Sequence, residues 1–270
     1  MSTFGFKLVD QQSSHHGAII DHAIARGHAV EVGLYYGDVA TLDLFAARLP
    51  QAGIPVNAHT DFHHCVVFNL HERADRLDAH IRQARDLGSA YSIIHAAVAP
   101  LTVREFLRPA TLDHLVDNLL RAEDICTHHD YRLHLENTFD SIDFHRRLFE
   151  QVRRRGLRRI HFCFDIGHAK VWSHDSLAAW MDFMGELDAE GISLHCHLHA
   201  NHGLMDDHLS LAEVSESARS GGDYDDGYFN PLGYPGAYWA IARRFPQAVN
   251  IFEVKSHYAI ADIEAVLAAG

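Results

Sequence analysis

The chain has 270 residues, of which 36 are acidic, 23 basic and 24 histidine, and its formal charge is −13. A hydrophobic share of 47% excludes a disordered chain, and no apolar run approaches the roughly 18–20 residues of a membrane span. The acidic balance argues against a nucleic-acid partner, because neutralising phosphates takes a basic face.

The first strand is predicted at Phe4–Val9, followed by a helical pattern over His15–Ala25, a strand at Ala29–Leu34 and a helix at Asp38–Leu49. Ile54–Ala58 reads as the third strand. Arg73–Leu87 is helical by the spacing of Leu77, Ile81, Ala84 and Leu87, with Gly88 as its stop. The alternation continues with a strand at Tyr91–His95, a helix at Thr111–His128, a strand at Leu133–Glu136 and a helix at Asp143–Arg154. It closes with strands at Ile160–Asp165, Ser193–Leu198 and Asn250–Val254, and helices at Ser176–Ala189, Gly236–Phe245 and Asp262–Ala268. Several strands are apolar on both faces (YSIIH, RIHFCF), as in strands covered by helices.

Eight such repeats predict a single (β/α)8 TIM barrel occupying residues 1–270 as one domain. An open doubly wound sheet would want a glycine-rich phosphate loop after the first strand, and LVDQQSSHHG is no GxGxxG. The connection from about His199 to Pro235 is long, and it follows the seventh strand, so it is expected over the catalytic mouth. Cys65, Cys126, Cys163 and Cys196 form no CxxC pair, which argues against a disulfide framework and a cysteine zinc site. The start MSTFGFKLVD lacks the pattern of a secretory signal, so a cytoplasmic location is expected.

In such a barrel, chemistry sits at the C-terminal ends of the strands. Those ends carry His59, His95, Glu136, Asp165 with His168 one turn on, His197 with Asp206 and His208 beyond it, and Glu253. Imidazole nitrogens and carboxylate oxygens converging from several strands suit a divalent ion: Mn, Mg, Co, Zn or Fe. Glu136, Asp165, His197 and Glu253 make one mixed site, and the remaining donors can complete a second or third, giving one to three ions per chain. His63 rivals His59, lying four residues on.

The segments LENT, FDIGHA, HLHANHG with DDHLSL, and FEVK carry a resemblance. The chain resembles the xylose isomerase-like TIM-barrel superfamily, which joins sugar and sugar-phosphate isomerases and epimerases to metal-dependent apurinic endonucleases. In the isomerase branch the resemblance implies one metal held by Glu136, Asp165, His197 and Glu253, with His168 contacting substrate. In the endonuclease branch it implies three zinc ions on nine ligands: these five residues with His59 or His63, His95, Asp206 and His208. The pattern departs at HLHAN, where Ala200 replaces a common acid, and at LAEVSES, which stands where a GEG is usual.

The first functional expectation is a metal-dependent isomerase or epimerase working through an enediolate on a small, carbohydrate-like substrate. Glu136 and Glu253 would exchange the proton and His168 would hydrogen-bond a substrate oxygen. The alternatives are a multi-zinc phosphodiesterase and a multi-iron oxidative enzyme. The clustered Arg146, Arg147, Arg153, Arg154, Arg155, Arg158 and Arg159 are expected at the opposite end of the barrel, where a docked duplex would not reach the ions. Glu31, His16, Asn201 and Tyr234 are further candidates for substrate contact, with Glu31 equally able to brace the ring of ligands and Asn201, beside HLH, able to support it from behind. No exposed apolar stripe stands out; a homodimer is the default for barrels of this kind.

Overall fold

The computed structural model describes residues 3–219 and 227–270. Eight parallel strands close into a barrel in chain order: β1 Thr3–Val9, β2 Ala29–Gly33, β3 Val56–His59, β4 Ser92–His95, β5 Leu133–Glu136, β6 Ile160–Asp165, β7 Leu194–Leu198 and β8 Val249–Phe252. The described helices are α1 His16–Arg26, α2 Val39–Arg48, α3 Leu70–Asp86, α4 Arg108–His128, α5 Ile142–Arg154, α6 Ile166–Trp172, α7 Leu177–Ala189, α8 Glu216–Arg219, α9 Gly233–Arg244 and α10 Ser256–Ala269. No described helix is long and apolar enough to cross a membrane.

Side chains alternate along a strand, so each strand has a helix-facing and a barrel-facing set. The helix-facing set is apolar. Phe6, Leu8, Leu133, Leu135, Phe162, Phe164 and Leu198 are buried in one continuous core with residues of the surrounding helices. Trp180 of α7 lies parallel to Phe162 at 6.5 Å, and Phe149 of α5 meets the same ring edge-on at 5.6 Å. The barrel-facing set is polar, and strand register carries it around the barrel. Lys7 lies opposite Glu31, Glu31 opposite Asn57, Glu136 opposite Cys163, and Asp165 opposite His197.

Several element boundaries differ from the sequence reading. Helix α3 starts at Leu70, because a short turn joins it across Arg73, whose φ of −127° is not helical. Helix α4 begins at Arg108, with a proline in its first turn, where the missing N–H costs nothing. Helix α10 begins at Ser256, well before Asp262. Strand β8 ends at Phe252, so Glu253 is the first residue past the ladder. Helix α6 went unpredicted: its seven residues are too few for a periodic signal, and it leaves β6 without an intervening loop. The connection after β7 contains the short α8; residues 220–226 lie outside the described set.

Candidate metal centre

The strand ends converge on Glu136. Its Oε2 lies 3.1 Å from His59 Nε2 and 3.0 Å from His95 Nε2, and its Oε1 lies 3.1 Å from His197 Nδ1 and 3.2 Å from His168 Nδ1. A carboxylate this deeply buried is costly without partners. Burial opposes its charge, but the imidazoles of His95, His197 and His168 prevail and hold it well below the usual carboxylate range.

Asp165 does three jobs at once. It ends β6, caps α6 by accepting the His168 N–H at 2.7 Å, and faces His199 Nε2 at 3.1 Å. Asn137 fixes its backbone with a bond in each direction, at 2.6 and 3.0 Å. Gly167 leaves room for the His199 ring, whose nearest atom would lie 2.0 Å from any Cβ there.

Glu253 joins the ring through His197 Nδ1 at 2.9 Å and Lys7 Nζ at 2.7 Å. On the rim, Asp206 bridges His168 Nε2 at 3.2 Å and His208 Nε2 at 2.9 Å. His208 holds a left-handed backbone (φ 46°), a conformation rare for a bulky residue and concentrated at functional sites. Burial works against the charged form of His168, and Asp165, Asp206 and Glu136 outweigh it, holding this imidazole well above its ordinary value.

These donors form three groups whose ligand atoms lie within 4.8 Å of one another: His59–His95–Glu136, Glu136–Asp165–His197–Glu253, and His168–Asp206–His208. Ligands about 2.0–2.2 Å from one ion are separated from each other by roughly 3–3.5 Å, and His197 Nδ1 lies 2.9, 3.1 and 3.7 Å from oxygens of Glu253, Glu136 and Asp165. The donor chemistry and spacing therefore fit divalent ions. Glu136 belongs to two of the groups. Cys163, His195 and His197 form a fourth group deeper in the barrel, but burial holds the Cys163 thiol well above its ordinary value, so it favours the neutral form.

All nine sequence-predicted donors meet here, with His59 rather than His63 filling the contested place. His59 is buried against Glu136, whereas His63 is exposed. Burial and the charge of Lys7 push His59 down to about 4, which leaves a neutral ring suited to ligation. Three of the four expected substrate contacts lie away from the cavity walls. Asn201 and Tyr234 are buried and bonded to each other, pinning the β7 loop. Glu31 is wholly buried beneath the ring, accepting from His197 Nε2 at 3.1 Å and lying 3.0 Å from both His195 Nε2 and Lys7 Nζ. His16 is buried beside a second cavity.

The sequence reading passed over Lys7, Asn137, His195 and His199. The HCHLH run carried a signal for two of them: His195, His197 and His199 are two apart, so they share one face of β7. Lys7 also had a signal, as a lone cation alternating with Phe6 and Leu8 in an apolar strand.

The centre opens into a cavity of about 210 Å³ whose walls include Tyr35, Phe62, Phe139 and Trp172. No basic face surrounds it among the described residues lining this cavity. The arginine cluster lies along α5 and the turn into β6, where Arg146 pairs with Glu186, Arg153 with Glu190 and Arg159 with Asp130.

Comparisons with known proteins agree with this fold. The model of a family described as xylose isomerase-like TIM barrel matches residues 22–233. No curated protein matches the chain in sequence. Among solved structures, the TTHB071 protein from Thermus thermophilus, soaked with zinc chloride, is 19% identical, with 99% of this chain and 98% of that one covered and a TM-score of 0.69. A D-tagatose 3-epimerase-like protein is 17% identical over 99% and 97% of the two chains, with a TM-score of 0.70. A 3-keto-D-glucoside 4-epimerase from E. coli is 11% identical over 100% and 98%, with a TM-score of 0.65. At these identities the likeness is one of fold.

Proposed function

Since the chain belongs to the xylose isomerase-like TIM barrel family, we propose that it is a divalent-metal-dependent isomerase or epimerase of a small, sugar-like hydroxycarbonyl compound. The observation that carries this reading is the Glu136–Asp165–His197–Glu253 group at the floor of a small cavity with aromatic walls. The epimerase and the epimerase-like protein among the structural neighbours support it.

A bound ion would supply Lewis-acid polarisation of the substrate's oxygens and lower the cost of an enediolate. The protein supplies the rest. Glu253 meets the cavity with a side chain 15% exposed, so it is the carboxylate placed to take a proton from carbon. Burial opposes its charge, and Lys7 on its other face outweighs that and keeps it ionised. Glu136, also on the cavity wall, is the second carboxylate, placed to return the proton. His168 donates a hydrogen bond to a substrate oxygen, and the aromatic walls exclude water while the proton is in transit. The test is deuterium uptake from D₂O beside the carbonyl, across a panel of free and phosphorylated ketoses and aldoses with metal-loaded protein. No uptake across the panel would sink the proposal.

A second reading, hydrolysis of a small phosphate ester by a multi-ion centre, is favoured by the three donor groups and by the sharing of Glu136 between two of them. Metal analysis divides the two. About one ion per chain supports isomerisation. Three zinc ions per chain together with phosphate-ester cleavage support hydrolysis.

A further inference from the structure

A second cavity, of about 380 Å³, lies beside the first and shares Tyr35, Phe62, His208 and Glu253 with it. Its outer wall is built from the loops after β1, β2 and β8, including Gln12, Ser13, His16, Tyr36 and Ser256. Helices α1 and α10 both begin at this wall. Neither has a capping side-chain bond, and neither has an acidic residue in its first turn. Two helix starts therefore bring unmet backbone N–H groups and two positive dipole ends to one place.

His16 adds an independent observation. It is only 2% exposed and lines this cavity, yet its side chain makes no hydrogen bond with any described residue; its described contact is with the Phe45 ring at 5.3 Å. Neither ring nitrogen is sealed from the cavity, so the imidazole is free to bond a group seated there. Ser13 Oγ accepts the His15 N–H at 3.2 Å, which leaves its O–H free to donate. The charges at the cavity are already matched. Lys7 is paired with Glu31 and Glu253, and Lys255 with Glu213. What remains is a set of uncharged donors arriving from several directions. That suits a tetrahedral anion with many acceptor oxygens better than a planar carboxylate or a single hydroxyl.

We propose that this cavity is a second subsite, which seats a phosphate group at the non-reacting end of the substrate between the starts of α1 and α10 and the His16 ring. The substrate of the neighbouring centre is then a phosphate monoester whose reactive end reaches past Tyr35 to Glu253. That last step rests on the isomerase reading; the phosphate seat itself does not.

The experiment is calorimetric titration of inorganic phosphate into the full chain, metal-free after chelation and again zinc-loaded. Saturable binding is expected in the metal-free protein, weakened at least fivefold by His16→Ala. Ser256→Pro is the second variant. Ser256 opens α10, where proline is well tolerated, and Lys255 before it (ψ 133°) already lies outside the α region that a following proline disfavours. This change removes one N–H and one hydroxyl without disturbing the fold, and should weaken phosphate several-fold. Absence of saturable binding without metal, or binding indifferent to both substitutions, overturns the proposal. Competition by acetate as strong as by phosphate overturns the assignment to phosphate. None of these outcomes depends on turnover, so they are separable from a failure of the deuterium test.

Discussion

The two faces of the same eight strands are built on opposite principles. Outside, Phe162, Phe164, Leu133 and their neighbours meet the helices with hydrocarbon, which tolerates modest repacking. Inside, where barrels are ordinarily filled by branched aliphatic side chains, Lys7, Glu31, Glu136, Asp165, His195 and His197 are buried together. A small apolar cluster of Tyr91, Ile93 and Cys163, together with Ile251 opposite His197, interrupts the polar filling. The outer face can supply stability residue by residue. The inner face holds only as a set, because removing one charge strands its partner in a low-dielectric place. The fold is thus carried by one surface of the sheet while the other is free to be chemically specialised.

This contrast can be broken from either side. The largest effect on stability belongs outside. Phe162→Ala removes the ring packed on Trp180, Phe149 and Phe183 and should cost about 3–5 kcal/mol in urea unfolding. The metal content of the molecules that remain folded should be unchanged; a parallel loss of metal would mean the two faces are not separable.

Inside, Glu31→Gln should barely alter the packing but weaken metal affinity about 10–100-fold, measured by competition with a chelating dye. The Glu31 carboxylate fixes the proton of His197 on Nε2 and so turns the Nδ1 lone pair toward the centre. Unchanged affinity would show that Glu31 does not orient the ligand.

The pH dependence of the metal-free protein separates two populations of histidine. Burial pushes His80 down to about 3 and His145 down to about 4. Their folded forms are neutral, so their contribution is present above the unfolded value of about 6.5 and falls away as pH drops below it. For His168 and His197, burial works in the same direction but the surrounding anionic groups outweigh it and hold both up. Their contribution is present below about 6.5 and is lost as pH rises through their raised values. Unfolding free energy should therefore peak near pH 6.5, and metal should remove only the alkaline decline. A stability that kept rising through pH 8 without metal would contradict this assignment.

The smallest effect is His145→Phe. Both ring nitrogens of His145 are buried without a hydrogen-bond partner among the described residues, beside Phe162 and Trp180. The substitution should stabilise by about 1 kcal/mol and flatten the acid limb of the pH curve. A destabilised variant would mean that the imidazole has a role in the packing which its contacts do not display.

Much of this was legible in the sequence. The alternation of apolar runs and helical periods gave eight strands, and reading to the end of each gave Glu136, Asp165 and His197. The choice of His59 over His63 was not legible: it depends on β3 stopping at His59, with the chain then turning away. For Glu31 the sequence left two readings open, substrate contact or bracing a ligand, because a strand polar residue reads alike whether it meets a cavity or supports a ligand from below; the structure has it beneath His197. The count of 24 histidines was a poor guide by itself. His145 is buried among aromatic rings and His168 lies in the ligand ring, and composition cannot tell them apart.

The junction of β6 and α6 has a consequence for how this barrel can change. Asp165 is the last residue of the strand and the cap of the helix that starts at Ile166, so no slack separates them. Most barrel mouths diversify by lengthening the loops between strand and helix. Here a single inserted residue would turn the helix by about 100° relative to the strand and swing His168 away from Glu136. This stretch is a splice that a protein engineer must leave untouched, and grafts meant to alter specificity belong in the loops after β1 and β8 instead.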